Sequence, residues 1–600
     1  MPHRPAQIED YGFLSDTQSG ALVSRDGCVD WLCLPRFDSP ACFASLLGES
    51  KNGHWRFFPD EDAVEITRRY RGDTLILETL MKTPGGTVRL IDFMPPRGTN
   101  LDLVRIVEGV SGAVKMHMEL IIRFDYGLIV PWVRKSHDGL EAIAGPDGLI
   151  LRSAIETRGE NLTTVAEFTV KEGERVPFVL TWFESFKEPP RAVNPEHALR
   201  DTEKFWADWA GRFKYHGPWR EEILRSLIVL KGLTYAPTGG LVAAATTSLP
   251  ERIGGVRNWD YRYCWLRDAA FTLVTLLQVG YHDEARAWRQ WLLRAIAGSA
   301  AQMQIMYGVR GERLLAEREL PWLSGYEGSK PVRVGNAASN QFQLDVFGEV
   351  LFAMHESDLA GLKTEEPDWR LQVELMRFLE SNWDQPDEGI WEVRGGRKQF
   401  THSKMMAWVA FDRAIKLAQD CNCSAGEHVE RWIKIREQIH REVCERGYNS
   451  KKNAFTQFYG SDALDASILM MPRVGFLPPT DPRVRGTIEA IERELMQDGF
   501  ILRYRVEEEN VDGLPGQEGA FVPCSFWFAN SLYLLGRKDE AKAMIERLLG
   551  LQNDLGLLSE EYDPIDKRQL GNFPQAFTHL ALVNSARIVG GDSKMVPGEE

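Results

Sequence analysis

Near residue 190 the hydrophobic period of the chain changes from two residues to between three and four, and no single layer of secondary structure accommodates both. Before that point the stretch "VKMHMELIIRF" alternates cleanly, with Val114, Met116, Met118, Leu120, Ile122 and Phe124 on one face. Lys115, His117, Glu119 and Arg123 fall on the other, which is the pattern of a half-buried strand. "TPGGT" (83–87) and "RDG" (25–27) each separate two apolar runs, as hairpin turns do. Many short strands with polar turns predict an antiparallel sandwich. The three prolines of "FKEPPRAVNP" (186–195) then close the β region.

Beyond it, about twelve amphipathic segments follow, near 219–235, 265–280, 283–299, 340–359, 367–384, 402–420, 425–446, 461–472, 483–497, 523–537, 539–552 and 572–589. Two of the junctions echo each other. Gly280-Tyr281-His282-Asp283-Glu284-Ala285 is matched by Gly536-Arg537-Lys538-Asp539-Glu540-Ala541. In each, the glycine can end one helix in the left-handed conformation and the aspartate can cap the next. Six such hairpins close into an (α/α)6 toroid. The expected organisation is therefore multidomain β plus α: an N-terminal antiparallel β-sandwich (1–193), a helical linker (194–214) and an (α/α)6 domain (215–600).

A formal charge of -15 disfavours nucleic acid and anionic membrane surfaces as partners. Its eight cysteines, at 28, 33, 42, 264, 421, 423, 444 and 524, form no CxxC pair and read as buried free thiols. The first residues lack the apolar core of a signal peptide, and no run of about 18 apolar residues suggests a membrane span. A cytoplasmic location is the expectation. Oligomeric state is not legible, and a homo-oligomer is as compatible with these features as a monomer.

There is no HExxH, no paired Cys/His spacing, no phosphate-binding glycine loop and no GxSxG, so neither a metal nor a cofactor is expected and the search turns to carboxylates. In "NWDYRYCWLRDAAF" (258–271), Trp259, Tyr261, Tyr263 and Trp265 surround Arg262, Arg267 and Asp268 where a helix begins. The Arg–Asp pair there reads equally as a structural salt bridge and as a fork for sugar hydroxyls. In "EGIWEVRGG" (388–396), Glu392 follows Trp391 in a glycine-bounded loop. It is either an exposed loop residue or a carboxyl kept protonated by an indole, as a general acid requires. "LSEEYD" (558–563) carries Glu560, Glu561 and Asp563 around Tyr562, either a wet turn or half of a catalytic pair.

At these stretches the sequence resembles glycoside hydrolase family 15, the inverting family of glucoamylases, glucodextranases and microbial trehalases. "YRYCWLRDA" is similar to the family segment whose Arg and Asp hold the nonreducing glucose, "IWEV" to the one bearing the general acid, and "LSEEYD" to the one bearing the general base. "LRYRVEE" (502–508) is similar to a weaker block with a sugar-binding Arg. The resemblance runs almost end to end and implies Glu392 as acid and Glu560 as base. It places Arg267, Asp268 and Arg503 on glucose hydroxyls, with Tyr261, Trp265 and Trp391 lining the subsite. Glu561 and Asp563 are left supporting roles.

An inverting hydrolase spaces its two carboxyls to admit a water between base and anomeric carbon, so an α-linked glucoside would release β-glucose. Cys264 and Leu266 flank Trp265 where fungal members tend to have small hydroxylated residues. In "GQEGAFVPCSFW" (516–527), Glu518 is a further carboxylate, expected on the leaving-group side as a specificity residue. The N-terminal run from Asp10 to Gly48 is closest to the bacterial trehalase-like branch. The expected activity is exo-acting hydrolysis of a small carbohydrate, trehalose first. Maltose- or isomaltose-type oligosaccharides are the alternative, and a disaccharide phosphorylase or a noncatalytic sugar-binding protein on a similar fold are readings from other classes.

Overall fold

In the computed structural model, which describes residues 4–98, 100–420, 426–506 and 512–592, the N-terminal region is an antiparallel β domain organised around one long strand, Leu101–Ile121. Its first half pairs with Gly86–Phe93 and Arg175–Glu184, its second half with His54–Pro59 and Thr163–Lys171, so this strand passes from one layer into the other. The alternation read from the sequence is realised: Val114, Met116, Met118 and Leu120 are no more than 3% exposed. Both turn signals join antiparallel strands, Gly20–Ser24 with Cys28–Cys33 and Leu77–Thr83 with Gly86–Phe93. A single turn, α1 (Phe124–Gly127), follows the long strand and buries Tyr126.

The linker is a helix, α2 (Pro195–Ala210), capped by Asn194, whose side-chain oxygen accepts the N–H groups of Glu196 and His197. The barrel then alternates outer and inner helices. The outer ones are α3 (Arg220–Gly232), α5 (His282–Ile296), α7 (Glu366–Glu380), α9 (Gly426–Arg446), α10 (Pro482–Leu495) and α12 (Lys538–Leu549). Inner places are held by α4 (Leu266–Gln278), α6 (Asp345–Leu359), α8 (Thr401–Asp420), α11 (Val522–Leu534) and α13 (Ala576–Val589). The sixth inner place belongs to a short 3-10 helix, Ala466–Met470, which touches α8 on one side and α11 on the other. Contacts of α11 with α13, and of α13 with α4, close the ring. Burial follows position: α11 and α13 are apolar nearly all round, whereas α5, α10 and α12 bury one stripe.

Two local expectations are corrected. Segment 461–472 makes no α-helix, because Asp465 caps a turn at Ser467 and Pro472 follows at once. At the echoed junctions Gly280 and Gly536 do take positive φ, 89° and 79°, but the helix caps are Tyr281 and Arg537. Asp283 and Asp539 lie inside the first turn, where an acid favours the positive end of the helix dipole instead.

Six described cysteines are free, all buried except the half-buried Cys444; Cys421 and Cys423 lie outside the described residues. Among the described residues no helix is long and apolar enough to cross a membrane. The two domains are joined through their interiors. The Trp31 indole donates to the Ala245 carbonyl, and the fully buried Arg262 donates to the Ser39 carbonyl at 2.8 Å and to the Tyr126 hydroxyl at 2.9 Å.

Candidate active site

Strand Cys264–Trp265 pairs with Met306–Tyr307, and α4 starts immediately after it. Trp265 is therefore the cap, and Arg267 and Asp268 fall in the first turn, facing a cavity at the mouth of the ring. The family resemblance singled out Arg267 rather than Arg262, and the fold sends the two arginines in different directions. Arg262 turns away to bind Asp260 and the β domain. Arg267 turns inward, donating to the Ile390 carbonyl at 2.7 Å and lying 3.4 Å from Asp268 and 3.6 Å from Glu392. Burial raises the Asp268 carboxyl to about 6, against the opposing pull of Arg267.

Glu392 sits in the loop between α7 and α8 with φ +60°, a conformation costly for a residue with a side chain. Several contacts over-determine it. The Gln341 amide donates to the carbonyls of both Glu392 and Val393, and the Val393 N–H donates to the Glu388 carbonyl. The result aims the carboxylate at the cavity, where the Trp265 indole N–H donates to Glu392 Oε1 at 2.6 Å. The neighbouring Trp391 has its N–H fixed on Asp465, at 2.9 and 3.0 Å from the two carboxylate oxygens, and its ring packed on Phe521. Asp465 is the cap of the short inner helix, so the irregular sixth place of the ring anchors this wall of the site.

Glu560 comes from a different part of the chain, immediately before the short strand Glu561–Asp563. It is 1% exposed and stands one layer behind the lining side chains Tyr261 and Glu251. Its Oε2 accepts the Asn572 N–H at 3.3 Å, while the buried Oε1 makes no hydrogen bond of normal geometry. Desolvation raises this carboxyl to about 7, although the Tyr261 hydroxyl and then Arg503 favour its charged form. Tyr261 is the hinge of the arrangement. Its own phenol is pushed up first by burial and then by the charges of Glu560, Glu251 and Glu392, which places it among all three carboxyls. Its ring meets that of Trp265 edge-on at 5.2 Å.

Around Glu560 the charges are crowded. Arg503 donates to Glu518 at 2.8 and 2.6 Å and reaches Glu561 at 3.3 Å and Glu251 at 3.5 Å. Glu561 is fully buried and accepts the Gly519 N–H at 2.8 Å; Asp563 takes the N–H groups of Ile565 and Asp566 in the turn that follows. Carboxylate oxygens of Glu251, Glu560 and Glu561 lie within 4.8 Å of one another, the spacing of a cation site, but the Arg503 guanidinium already supplies positive charge to two of the three. Glu251 is raised to about 8 by burial, partly opposed by Arg503.

Of the residues singled out in the sequence, Tyr261, Trp265, Arg267, Asp268, Trp391, Glu392 and Arg503 all line the one cavity. Glu560 lies just behind it and Glu518 is sequestered between Arg503 and Arg257. Sequence reasoning missed Glu251, Arg257, Arg394 and Asp512, which line the same cavity. Glu251 carried a weak signal, lying seven residues before the first motif. Asp512 carried none, because only the return of the chain over the loop of Glu392 brings it there.

A helical ring with an N-terminal β domain, and two glutamates held in contrasting environments around one cavity, is the arrangement in which a two-carboxylate glycoside hydrolase would be sought. The family model "Glycosyl hydrolases family 15" matches residues 217–544 and 537–587, and a second model, "Trehalase-like, N-terminal", matches residues 2–206. The chain belongs to glycosyl hydrolase family 15. It is 41% identical to a trehalase of Mycobacterium tuberculosis, over 96% of this chain and 89% of the relative. It is 35% identical to a trehalase of Thermoplasma volcanium, over 97% and 93% respectively. A bacterial glucoamylase solved with acarbose superposes with a TM-score of 0.73 at 12% identity, covering 99% of this chain and 95% of that one, which establishes the shared two-domain fold.

Proposed function

We propose that this glycoside hydrolase cleaves α,α-trehalose to two glucoses with inversion at one anomeric carbon. The observation that carries the reading is the likeness to proteins named trehalase along 96% of the chain, both domains included. In this mechanism Arg267 and Asp268 grip one glucose at the floor of the cavity. Glu392 protonates the bridging oxygen, and Glu560 takes a proton from the water whose oxygen bonds to the anomeric carbon as the glycosidic C–O bond breaks. Charge and atoms balance: the water's O–H adds across the broken bond, and Glu392 and Glu560 exchange protonation states.

The environments support this division of labour. A base whose conjugate acid lies near 7 is the strongest proton acceptor still substantially ionised at neutral pH, and the hydroxyl of the cavity-lining Tyr261 favours the charged form of Glu560. Glu392 holds its backbone in a strained, fixed conformation beside Arg267, which suits a group that must meet one oxygen atom. Glu518, locked on two guanidiniums, acts on the leaving-group side through Arg257 and Arg503 rather than by touching sugar. The free buried thiols also fit a reducing compartment, and we place the activity in the cytoplasm; recovery in an extracytoplasmic fraction of the source cells would reject that.

Proton NMR of the first minutes of turnover tests the reaction. Inversion on α,α-trehalose yields equal β- and α-glucose, the β anomer from the attacked ring and the α anomer from the leaving ring. Retention would yield α-glucose alone. Inert trehalose beside rapid cleavage of maltose or isomaltose would replace the substrate and keep the machinery.

A further inference from the structure

We infer that the segment Asp512–Glu518, pinned by Arg257, is the end wall of the cavity on the leaving-group side and limits the enzyme to one sugar beyond the scissile bond. This rests on the reading above that the leaving group is a single glucose.

The cavity lining falls into two groups. Arg267 contacts Asp268 and Glu392, while Arg394 contacts Trp259 and Asp512 in a separate group. Beside that second group one guanidinium, only 3% exposed, organises a whole stretch of chain. Arg257 donates to Asp512 at 2.6 Å, to the carbonyls of Leu514 and Gly516 at 3.3 Å each, and to Glu518 at 3.1 Å. None of its side-chain hydrogen bonds goes to Glu392 or Glu560. The Tyr504 hydroxyl donates to the same Asp512 carboxylate at 3.2 Å.

The strap also lies directly on the loop that carries Glu392. The Arg394 N–H donates to the Asp512 carbonyl at 2.7 Å. Gly513, at φ +66°, meets Gly395 backbone to backbone: a Cβ there would stand 2.5 Å from the Gly395 nitrogen. No sugar passes between the two. The Trp259 ring is flanked by the guanidiniums of Arg333 at 4.6 Å and Arg394 at 4.2 Å, so cations rather than further sugar rings occupy its faces.

The test compares trehalose with a trehalose bearing one additional α-glucosyl unit, which keeps the scissile bond constant and adds one sugar beyond it. Wild type is expected to hydrolyse the trisaccharide at no more than about a tenth of the disaccharide kcat/KM. In Arg257→Ala and in Gly513→Ala the trisaccharide-to-disaccharide ratio should rise about tenfold or more, with Arg257→Lys between them and wild type. The ratio is internal to each preparation, so loss of folded protein cancels, and Gly513→Ala disturbs the strap without removing a charge. Equal use of the two sugars by wild type overturns the inference, as does a ratio unmoved in the variants. If wild type ignores trehalose but cleaves maltose, the substrate reading falls, and maltose against maltotriose then poses the same question of the strap.

Discussion

The two glutamates at the mouth of the ring are held by opposite means. Glu392 is partly open to the cavity, its side chain 19% exposed, and is placed by geometry: a left-handed backbone, one short indole hydrogen bond and a neighbouring guanidinium. Glu560 is buried and placed by charge, with Glu251, Glu518, Glu561 and Arg503 around it. In the proposed mechanism the first environment would set where a proton is delivered, and the second how strongly one is taken. An inverting site needs both, and the chain builds them from unrelated parts, a loop between helices and a pair of short strands.

The largest effects should come from removing each carboxyl. Glu392→Gln and Glu560→Gln are each expected to lower kcat on trehalose by ~10³-fold or more. A leaving group that needs no proton separates them: on α-glucosyl fluoride Glu392→Gln should recover most of its rate and Glu560→Gln should not. Identical behaviour on the fluoride would erase the distinction between the two environments. Next, Trp265→Phe removes the indole donor to Glu392 while keeping an aromatic wall, and should cost about 10–100-fold in kcat with a smaller change in KM. An unchanged kcat would show that the hydrogen bond does not aim the acid.

The base side is sharpened by pH. Because Glu560 must be ionised, kcat/KM should rise with pH and bend at about 7. Glu518→Gln removes a negative charge that raises Glu560 and frees Arg503 to stabilise its ionised form, so the bend should move to lower pH; movement upward would contradict the charge-placed description. The smallest effect is on stability. Glu560 and Glu251 are raised in the folded state from 4.5 to about 7 and about 8, so the stability linked to their protonated forms is complete below 4.5 and lost as pH rises through those values. Tm should therefore fall by a few °C between about pH 5 and pH 8.5. Glu251→Gln, neutral throughout, should flatten that fall, and calorimetry across the range would reveal a slope that does not change.

The asymmetry between the two glutamates also explains what could be read in the chain. Period two and period 3.6 are local properties, so the β domain, the linker helix and the ring were legible from residue patterns, with one inner place shortened where Asp465 and Pro472 cut a helix. The glutamates were singled out by their likeness to family motifs, which are short and contiguous. Their surroundings were not. Arg257 meets Asp512 and Glu518, and Glu251 meets Arg503, across separations of some 250 residues, and a buried charge network leaves no periodic trace in one sequence. Arg503 itself was expected on sugar hydroxyls, and its three carboxylate partners give it a second occupation that no window of residues reveals.

Arg262 lies in the same short segment as Arg267, yet its hydrogen-bonding partners beyond Asp260 are Ser39 and Tyr126 of the other domain. That contact makes the β domain and the sugar-binding segment a single heritable unit. A recombination event that exchanged the first domain with that of a distant relative would strand a fully buried cation unless the acceptor groups for it travelled along. The boundary between the domains, so plain in the sequence, is thus a poor place for evolution or an engineer to cut.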